Sequence, residues 1–320
     1  GGGPAGWGGA IAVVPYEMYK IYGDKEAFRR YLPKILRYFD YLDSRSSGGL
    51  VCREEEGGWC LGDWCPPEQI TICEPFVNTA LYVKQMMMTK EASEAIGESK
   101  TAAMLEKRIE EKKQAILSAY YSPQTGSFIG DAQGANSFAV DIGLGGERAF
   151  NNTKKKYDAA DAFDTGIFGT DILIRVLFER GCADTAFRLL TSTGKGSFYN
   201  MKKQGATTIW ENWDGERSHS HPMFGAVTRY LFSFILGITQ EKNSAGYEKI
   251  VIAPQIPDGL NRASGHITTV RGEIAVSFIR TEREMDFYVT VPQKSWFTYG
   301  SDCEYELWEG ENHIHIDFKE

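Results

Sequence analysis

Glu211 stands between two indoles in the stretch Gly205-Ala206-Thr207-Thr208-Ile209-Trp210-Glu211-Asn212-Trp213-Asp214-Gly215, and two histidines follow in Ser218-His219-Ser220-His221. Carboxylates belong in water and tryptophans out of it, so a segment that interleaves them suits the floor of a pocket holding a polyhydroxylated ring. A sugar fits that description. Asp214-Gly215 turns the chain, and an apolar stretch from Met223 to Ile238 is long enough for a helix. Glu211 and the histidines are therefore expected on one loop between helices, the usual place for catalytic groups carried by a rigid scaffold. On residue types alone, a surface carboxylate beside two structural tryptophans fits the segment equally well, and the histidines fit a loop bonded to its own backbone.

The elements that must position this loop are helical over most of the chain. Apolar residues at Ile11, Val14, Met18 and Ile21, a break at Gly23-Asp24, and a second series at Phe28, Leu32, Ile35, Leu36 and Phe39 predict a helical hairpin. Glu74 to Met88 with Glu98 to Tyr121, and Thr165 to Arg180 with Ala183 to Leu190, predict two more. Asn136 to Leu144 and Lys155 to Phe163 read as short helices. Hairpins that recur without intervening strand alternation point to an all-α toroid or bundle. Ser44 to Ile72 is too long for a simple connector and is read as a functional loop. After Ile238 the texture changes to short alternating runs rich in Val, Ile and Thr, which predict a small antiparallel β domain. The expected domains are residues 1–242 and 243–320.

Composition narrows the ligand. A formal net charge of −8 over 320 residues argues against nucleic acid or an anionic membrane surface as partner, since both attract basic patches. No apolar run is long enough to span a membrane. Aromatic residues at 13% fit stacking on sugar faces, as they also fit a large core. Cys52, Cys60, Cys65 and Cys73 crowd one loop without the spacing of a structural zinc site, so free thiols or disulfides are expected, and no metal. Asp141, Asp161 and Asp164 read as helix caps, with Asp164 also a candidate for the cleft.

The order of several motifs resembles a known family. Trp7-Gly8-Gly9-Ala10, Val14-Pro15-Tyr16-Glu17-Met18-Tyr19, Tyr22-Gly23-Asp24, Leu61-Gly62-Asp63-Trp64, Gly166-Ile167-Phe168-Gly169-Thr170 and the Gly205 to Glu211 string with His221 are similar to bacterial α-L-rhamnosidases of glycoside hydrolase family 78. The resemblance implies a partial (α/α)6 barrel followed by a C-terminal β-sandwich. It implies inverting hydrolysis of a rhamnose-containing glycoside without a cofactor, which needs two carboxyl groups about 6.5–9.5 Å apart to admit a water. Glu211 matches the general base, His221 a substrate-contacting histidine, and Trp7 and Trp64 aromatic walls. Asp63 is a candidate for a sugar hydroxyl, and Trp210 and Trp213, on either side of the base, are candidates for binding the substrate.

The family's general acid lies in an Asp-Glu-Arg-x-Gly-Trp type segment ahead of the stretch matching Trp7. No such segment occurs here, and the countable helices fall short of six hairpins. Residue 1 is therefore expected to lie inside the catalytic domain of a longer protein. Two other readings stand beside this one: a non-catalytic carbohydrate-binding barrel, and a glycosidase of the same fold with different sugar specificity.

Overall fold

The computed structural model describes residues 5–53, 61–301 and 303–318. A 3-10 turn, Trp7–Gly9, leads into α1, Ala10–Tyr22, and α2, Lys25–Ser44. The break expected at Gly23-Asp24 has a physical cause at each residue. Gly23 takes the left-handed conformation (φ 72°) that ends α1, and the Asp24 carboxylate caps α2 by accepting from Ala27 N–H at 2.9 Å. The hairpin β1, Ser46–Ser47, with β2, Leu50–Val51, precedes α3, Glu74–Ala95, and α4, Ser99–Tyr120. A second small hairpin, β3, Tyr121–Ser122, with β4, Ser127–Phe128, leads through a 3-10 segment to α5, Ala135–Asp141, and α6, Gly146–Ala159. The helical part continues with α7, Ile167–Glu179, α8, Ala183–Leu190, and α9, Phe198–Lys203.

The expected helix after Met223 is a composite: 3-10 turns over Pro222–Val227, an α turn over Thr228–Tyr230 and a π turn over Leu231–Ile235. The helix α9 carries no long apolar repeat, and sequence periodicity passed over it.

Contacts sort the helices into two rings. α1, α3, α5, α7 and the composite helix touch one another in chain order, while α2, α4, α6 and α8 each pack outside the preceding odd-numbered partner. Burial follows from this. The inner α3 and α7 are buried on most faces, with Phe76, Val77, Tyr82 and Val83 on one and Leu173, Ile174, Leu177 and Phe178 on the other. The outer α2 buries a single stripe, Phe28, Leu32, Ile35, Phe39 and Leu42, at helical spacing. Burying each such side chain contributes about 1.5–3 kcal/mol.

Asp141 does not cap a helix. Its buried carboxylate is bridged by Lys84 and Arg175, each at 2.9 Å, and so ties α3 to α7 through α5. Asp164 is likewise engaged, accepting from Tyr157 Oη at 2.6 Å and pairing with Lys156 at 2.7 Å.

Two four-stranded sheets follow the helices. One has the order β11-β10-β6-β5, the other β12-β9-β8-β7, where β5 is Ile238–Gln240, β6 Ile250–Ile252, β7 Arg262–Thr269, β8 Gly272–Arg280, β9 Glu284–Val291, β10 Ser295–Tyr299, β11 Cys303–Leu307 and β12 Gly310–Asp317. Strand pairing is antiparallel except between β10 and β6. The inner faces meet over Ile252, Val276, Phe278, Phe287, Val289, Phe297 and Leu307. β5 already belongs to this sheet, ahead of the junction expected after residue 242. The sandwich grips the helical ring at the far end of α1. Lys20 Nζ donates to the carbonyls of Lys242 and Ser244 at 2.9 Å, while Gly246 N and Gln240 Nε2 donate to the Lys20 carbonyl at 2.8 and 2.9 Å.

Candidate active site

Loops that lead into inner helices converge at one end of the ring. Asp63, before α3, reaches the start of α7: its Oδ2 accepts from Gly166 N–H at 2.7 Å and its Oδ1 from Phe168 and Gly169 N–H, both at 3.0 Å. These are groups that the first turn of a helix leaves unpaired, and a carboxylate there also meets the favourable end of the helix dipole. The fit dictates the Gly166-x-x-Gly169 spacing. A Cβ on Gly166 would lie 2.3 Å from Trp64 O, and one on Gly169 would lie 2.5 Å from Asp63 Oδ2. Burial pushes the Asp63 carboxyl up to about 7, with the three N–H donors opposing it.

Trp64 follows directly. Its carbonyl accepts from Ile167 N–H at 2.8 Å, and its indole Nε1 donates to Glu211 Oε1 at 3.3 Å. Glu211 belongs to a loop that folds back on itself. Glu211 N–H donates to Ser218 O and His221 N–H to Ile209 O, each at 2.9 Å, and Ser218 N–H reaches Glu211 Oε2 at 3.4 Å. Arg217 lies with its guanidinium 4.9 Å from the centre of the Trp64 ring.

Glu211 is half-buried. Burial raises its pKa, but the bonds from Trp64 and Ser218 together with nearby His221 and Arg217 outweigh it, and the carboxyl sits below the ordinary range. Glu211 is in no ion pair among the described residues. It is thus an ionised carboxylate fixed by neutral donors.

Trp7 joins the same end through Phe168, whose ring lies 5.0 Å away and tilted by 46°. His221 is half-buried beside Glu211, and its Nδ1 has no hydrogen-bond partner among the described residues. The rim includes strained backbone. Cys65, next to Trp64, has φ 60°, and Ile129, Asp131 and Gln133 before α5 are also at positive φ. Gln133 holds its neighbour loop in place, accepting from Thr71 and Ile72 N–H at 2.8 and 3.1 Å.

Residues 1–235 match the model of the bacterial α-L-rhamnosidase six-hairpin glycosidase domain, and residues 237–298 match that of the bacterial α-L-rhamnosidase C-terminal domain. The chain belongs to the bacterial α-L-rhamnosidase family. An α-L-rhamnosidase of Alteromonas sp. (strain LOR) is 26% identical over 314 residues, covering 90% of this chain and 33% of the relative. One of Streptomyces avermitilis is 28% identical over 292 residues, covering 86% and 26%. The chain therefore spans about a third of the length of these relatives or less. Among solved structures, the Streptomyces avermitilis α-L-rhamnosidase complexed with L-rhamnose superimposes with a TM-score of 0.85 at 22% identity, over 98% of this chain and 33% of that one. The α-L-rhamnosidase of Dictyoglumus thermophilum gives 0.87 at 18% identity, over 99% and 40%. At these identities the likeness establishes the fold.

Of the residues singled out on this rhamnosidase-family pattern, Glu211, Trp64 and His221 come together, and Trp7 adjoins them through Phe168. Three others are placed differently. Trp213 is 2% exposed, donates from Nε1 to Thr165 O at 3.1 Å, and packs parallel to Phe163 and against Phe224. Trp210 is 6% exposed, covered by the His219 ring at 4.4 Å and by Gly215, where a Cβ would meet the indole at 2.5 Å. The two indoles brace the loop from behind, because burying them gains more than either could by facing water. Asp63 is fully buried with both oxygens taken by backbone, so it offers no edge to a sugar hydroxyl.

His219 is fixed by its Nε2 contact with Gly215 O at 2.7 Å. Cys52, Cys65 and Cys73 are free thiols; Trp59, Cys60 and the acidic run Glu54-Glu55-Glu56 lie outside the described residues. Phe168, Arg217 and the Ser218 N–H were not visible as site groups in sequence. Phe168 lay within a quoted motif, but Arg217 carries no pattern that distinguishes it from a solvated loop cation.

Proposed function

We propose that this chain carries the base half of an inverting α-L-rhamnosidase active site. Glu211 takes a proton from a water as that water attacks the anomeric carbon, and a second carboxyl group about 6.5–9.5 Å away protonates the departing oxygen. The observation that carries the reading is the state of Glu211: ionised, half-buried, oriented by Trp64 Nε1 and Ser218 N–H, and free of any cation within ion-pair distance among the described residues. A carboxylate held by neutral donors keeps lone pairs for a water, whereas one locked to an Arg does not. Trp7 and Trp64 supply apolar faces for the methyl group and ring C–H bonds of a deoxy sugar, and His221 stands beside the carboxylate of Glu211.

Glu211→Gln in the full-length protein tests this. The expected result is a fall in kcat on an aryl α-L-rhamnoside of roughly 10²–10⁴-fold with thermal stability retained. Turnover close to that of the parent protein would remove Glu211 from the mechanism and favour a binding role for the site.

A further inference from the structure

The last strand, β12, reads His313-Ile314-His315-Ile316-Asp317. Its period of two turns Ile314 into the sandwich, where it is 5% exposed, and turns His313, His315 and Asp317 outward. The register on β9 sets Tyr288, Asp286 and Glu284 directly opposite these three. Cross-strand pairs of this kind have Cβ atoms about 4.5–5.5 Å apart, so two imidazoles and three carboxylates share one small patch of the outer face.

The contacts within the patch are specific. Asp286 Oδ1 is 2.7 Å from His313 Nε2 and 2.9 Å from His315 Nδ1. His315 Nε2 is 3.2 Å from Asp317 Oδ1, and ligand atoms of Glu284, His315 and Asp317 all lie within 4.8 Å of one another. The His313 ring stacks on Tyr288, with centroids 4.8 Å apart and planes 8° from parallel, which fixes that end of the array. No Lys or Arg forms an ion pair with Glu284, Asp286 or Asp317 among the described residues.

Both ring nitrogens of His315 therefore face carboxylate oxygens, whereas a neutral imidazole carries one N–H. The ring satisfies both oxygens as an imidazolium; with a single hydrogen on Nδ1, donated to Asp286, it turns the Nε2 lone pair toward Asp317 Oδ1, where a metal cation takes the place of the second proton. We propose that this position is a divalent transition-metal site of the zinc type, in which His315 Nε2 and the carboxylates of Glu284 and Asp317 are the ligands. Asp286 then holds His315 by Nδ1–H, the arrangement in which a carboxylate orients a metal-bound histidine and raises its basicity. The 3.2 Å separation of Nε2 and Asp317 Oδ1 is close to the edge of a tetrahedron with bonds of about 2.0–2.1 Å. An imidazole in the ligand set favours zinc over calcium or magnesium, which prefer oxygen alone. Such an ion joins β12 to β9 across the edge of the sheet.

Untagged protein, stripped with a chelator and titrated with Zn²⁺ alone by calorimetry, tests the proposal. One equivalent of Zn²⁺ is expected to bind and to raise the thermal midpoint. His315→Ala should weaken binding by at least tenfold and abolish the midpoint shift, and Asp286→Asn should weaken it by roughly 10–100-fold. His266→Ala, on β7 at the opposite edge of the sheet and outside the array, serves as the control and should bind as the parent does. Absence of stoichiometric binding would overturn the assignment, as would binding that His315→Ala leaves intact while the variant shows the circular dichroism of a folded chain. Displacement of Zn²⁺ by equimolar Mg²⁺ would overturn the choice of metal.

Discussion

The indole of Trp64 donates to the carboxylate of Glu211 across 3.3 Å, joining two segments 147 residues apart in the chain. The same tryptophan is fixed on its backbone side by Ile167 and, through Asp63, by the first turn of α7. Placement of Glu211 thus depends on a helix start that it never touches.

Replacing Trp64 with Phe keeps a ring of similar shape but removes the N–H. Glu211 has a depressed pKa partly because of that donor, so its pKa should rise toward the ordinary glutamate value in Trp64→Phe. A group whose folded pKa is lowered loses its charge as pH falls through that value, so the variant should protonate at higher pH than the parent. Carbon-detected NMR titration of the Glu211 carboxyl measures this directly, and an unmoved titration would show that the indole is not a significant donor.

Gly169→Ala is expected to be costly out of proportion to one methyl group. The new Cβ would fall 2.5 Å from Asp63 Oδ2, a buried atom that cannot retreat without releasing α7. A loss of about 1–3 kcal/mol by chemical denaturation is expected. Gly225→Ala is the comparison, because its Cβ would meet only Ile209 Cγ1 at 3.6 Å, an ordinary contact. Equal stabilities for the two variants would contradict the packing described around Asp63.

Asp131 gives a pH signature. It sits at φ 62°, its Oδ1 is buried without a partner among the described residues, and burial pushes its carboxyl up to about 6, against the pull of Lys156 and the Asn136 N–H. The unfolded carboxyl titrates near about 3.9, so the folded state prefers the neutral form, and stability from this group falls as pH rises from about 4 to about 6. Asn tolerates the same left-handed backbone and carries no charge. Asp131→Asn should therefore be more stable than the parent by about 1–2 kcal/mol at pH 7 and equal to it near pH 4. Denaturation curves at the two pH values check it, and a gain of the same size at both would place its origin outside titration.

Much of the architecture was legible because hydrophobic spacing reports burial. The stripe from Phe28 to Leu42 can only be an outer helix, and the alternation of β8 and β9 can only be a half-buried sheet. The composite helix after His221 was expected as one regular element, because an apolar run does not distinguish α from 3-10 or π winding. At the candidate site, Glu211 and Trp64 lie together as residue type suggested, whereas Trp210, Trp213 and Asp63 are buried in supporting positions that residue type did not reveal. An indole beside a carboxylate reads the same whether it faces a ligand or supports the loop from behind. Likewise Asp63 differs from a ligand-binding aspartate only in the three backbone N–H groups of α7, more than a hundred residues away, which no local pattern contains.

The grip of the β-sandwich on Lys20 has a mechanical consequence. Lys20 is in the last turn of α1, and the 3-10 turn that carries Trp7 runs into the other end of that helix, so one continuous segment links the sandwich to the aromatic side chain packed on Phe168. Strain applied at Lys20 is thus expected to reach Trp7 along that segment, coupling the β domain to the opposite end of the helical ring.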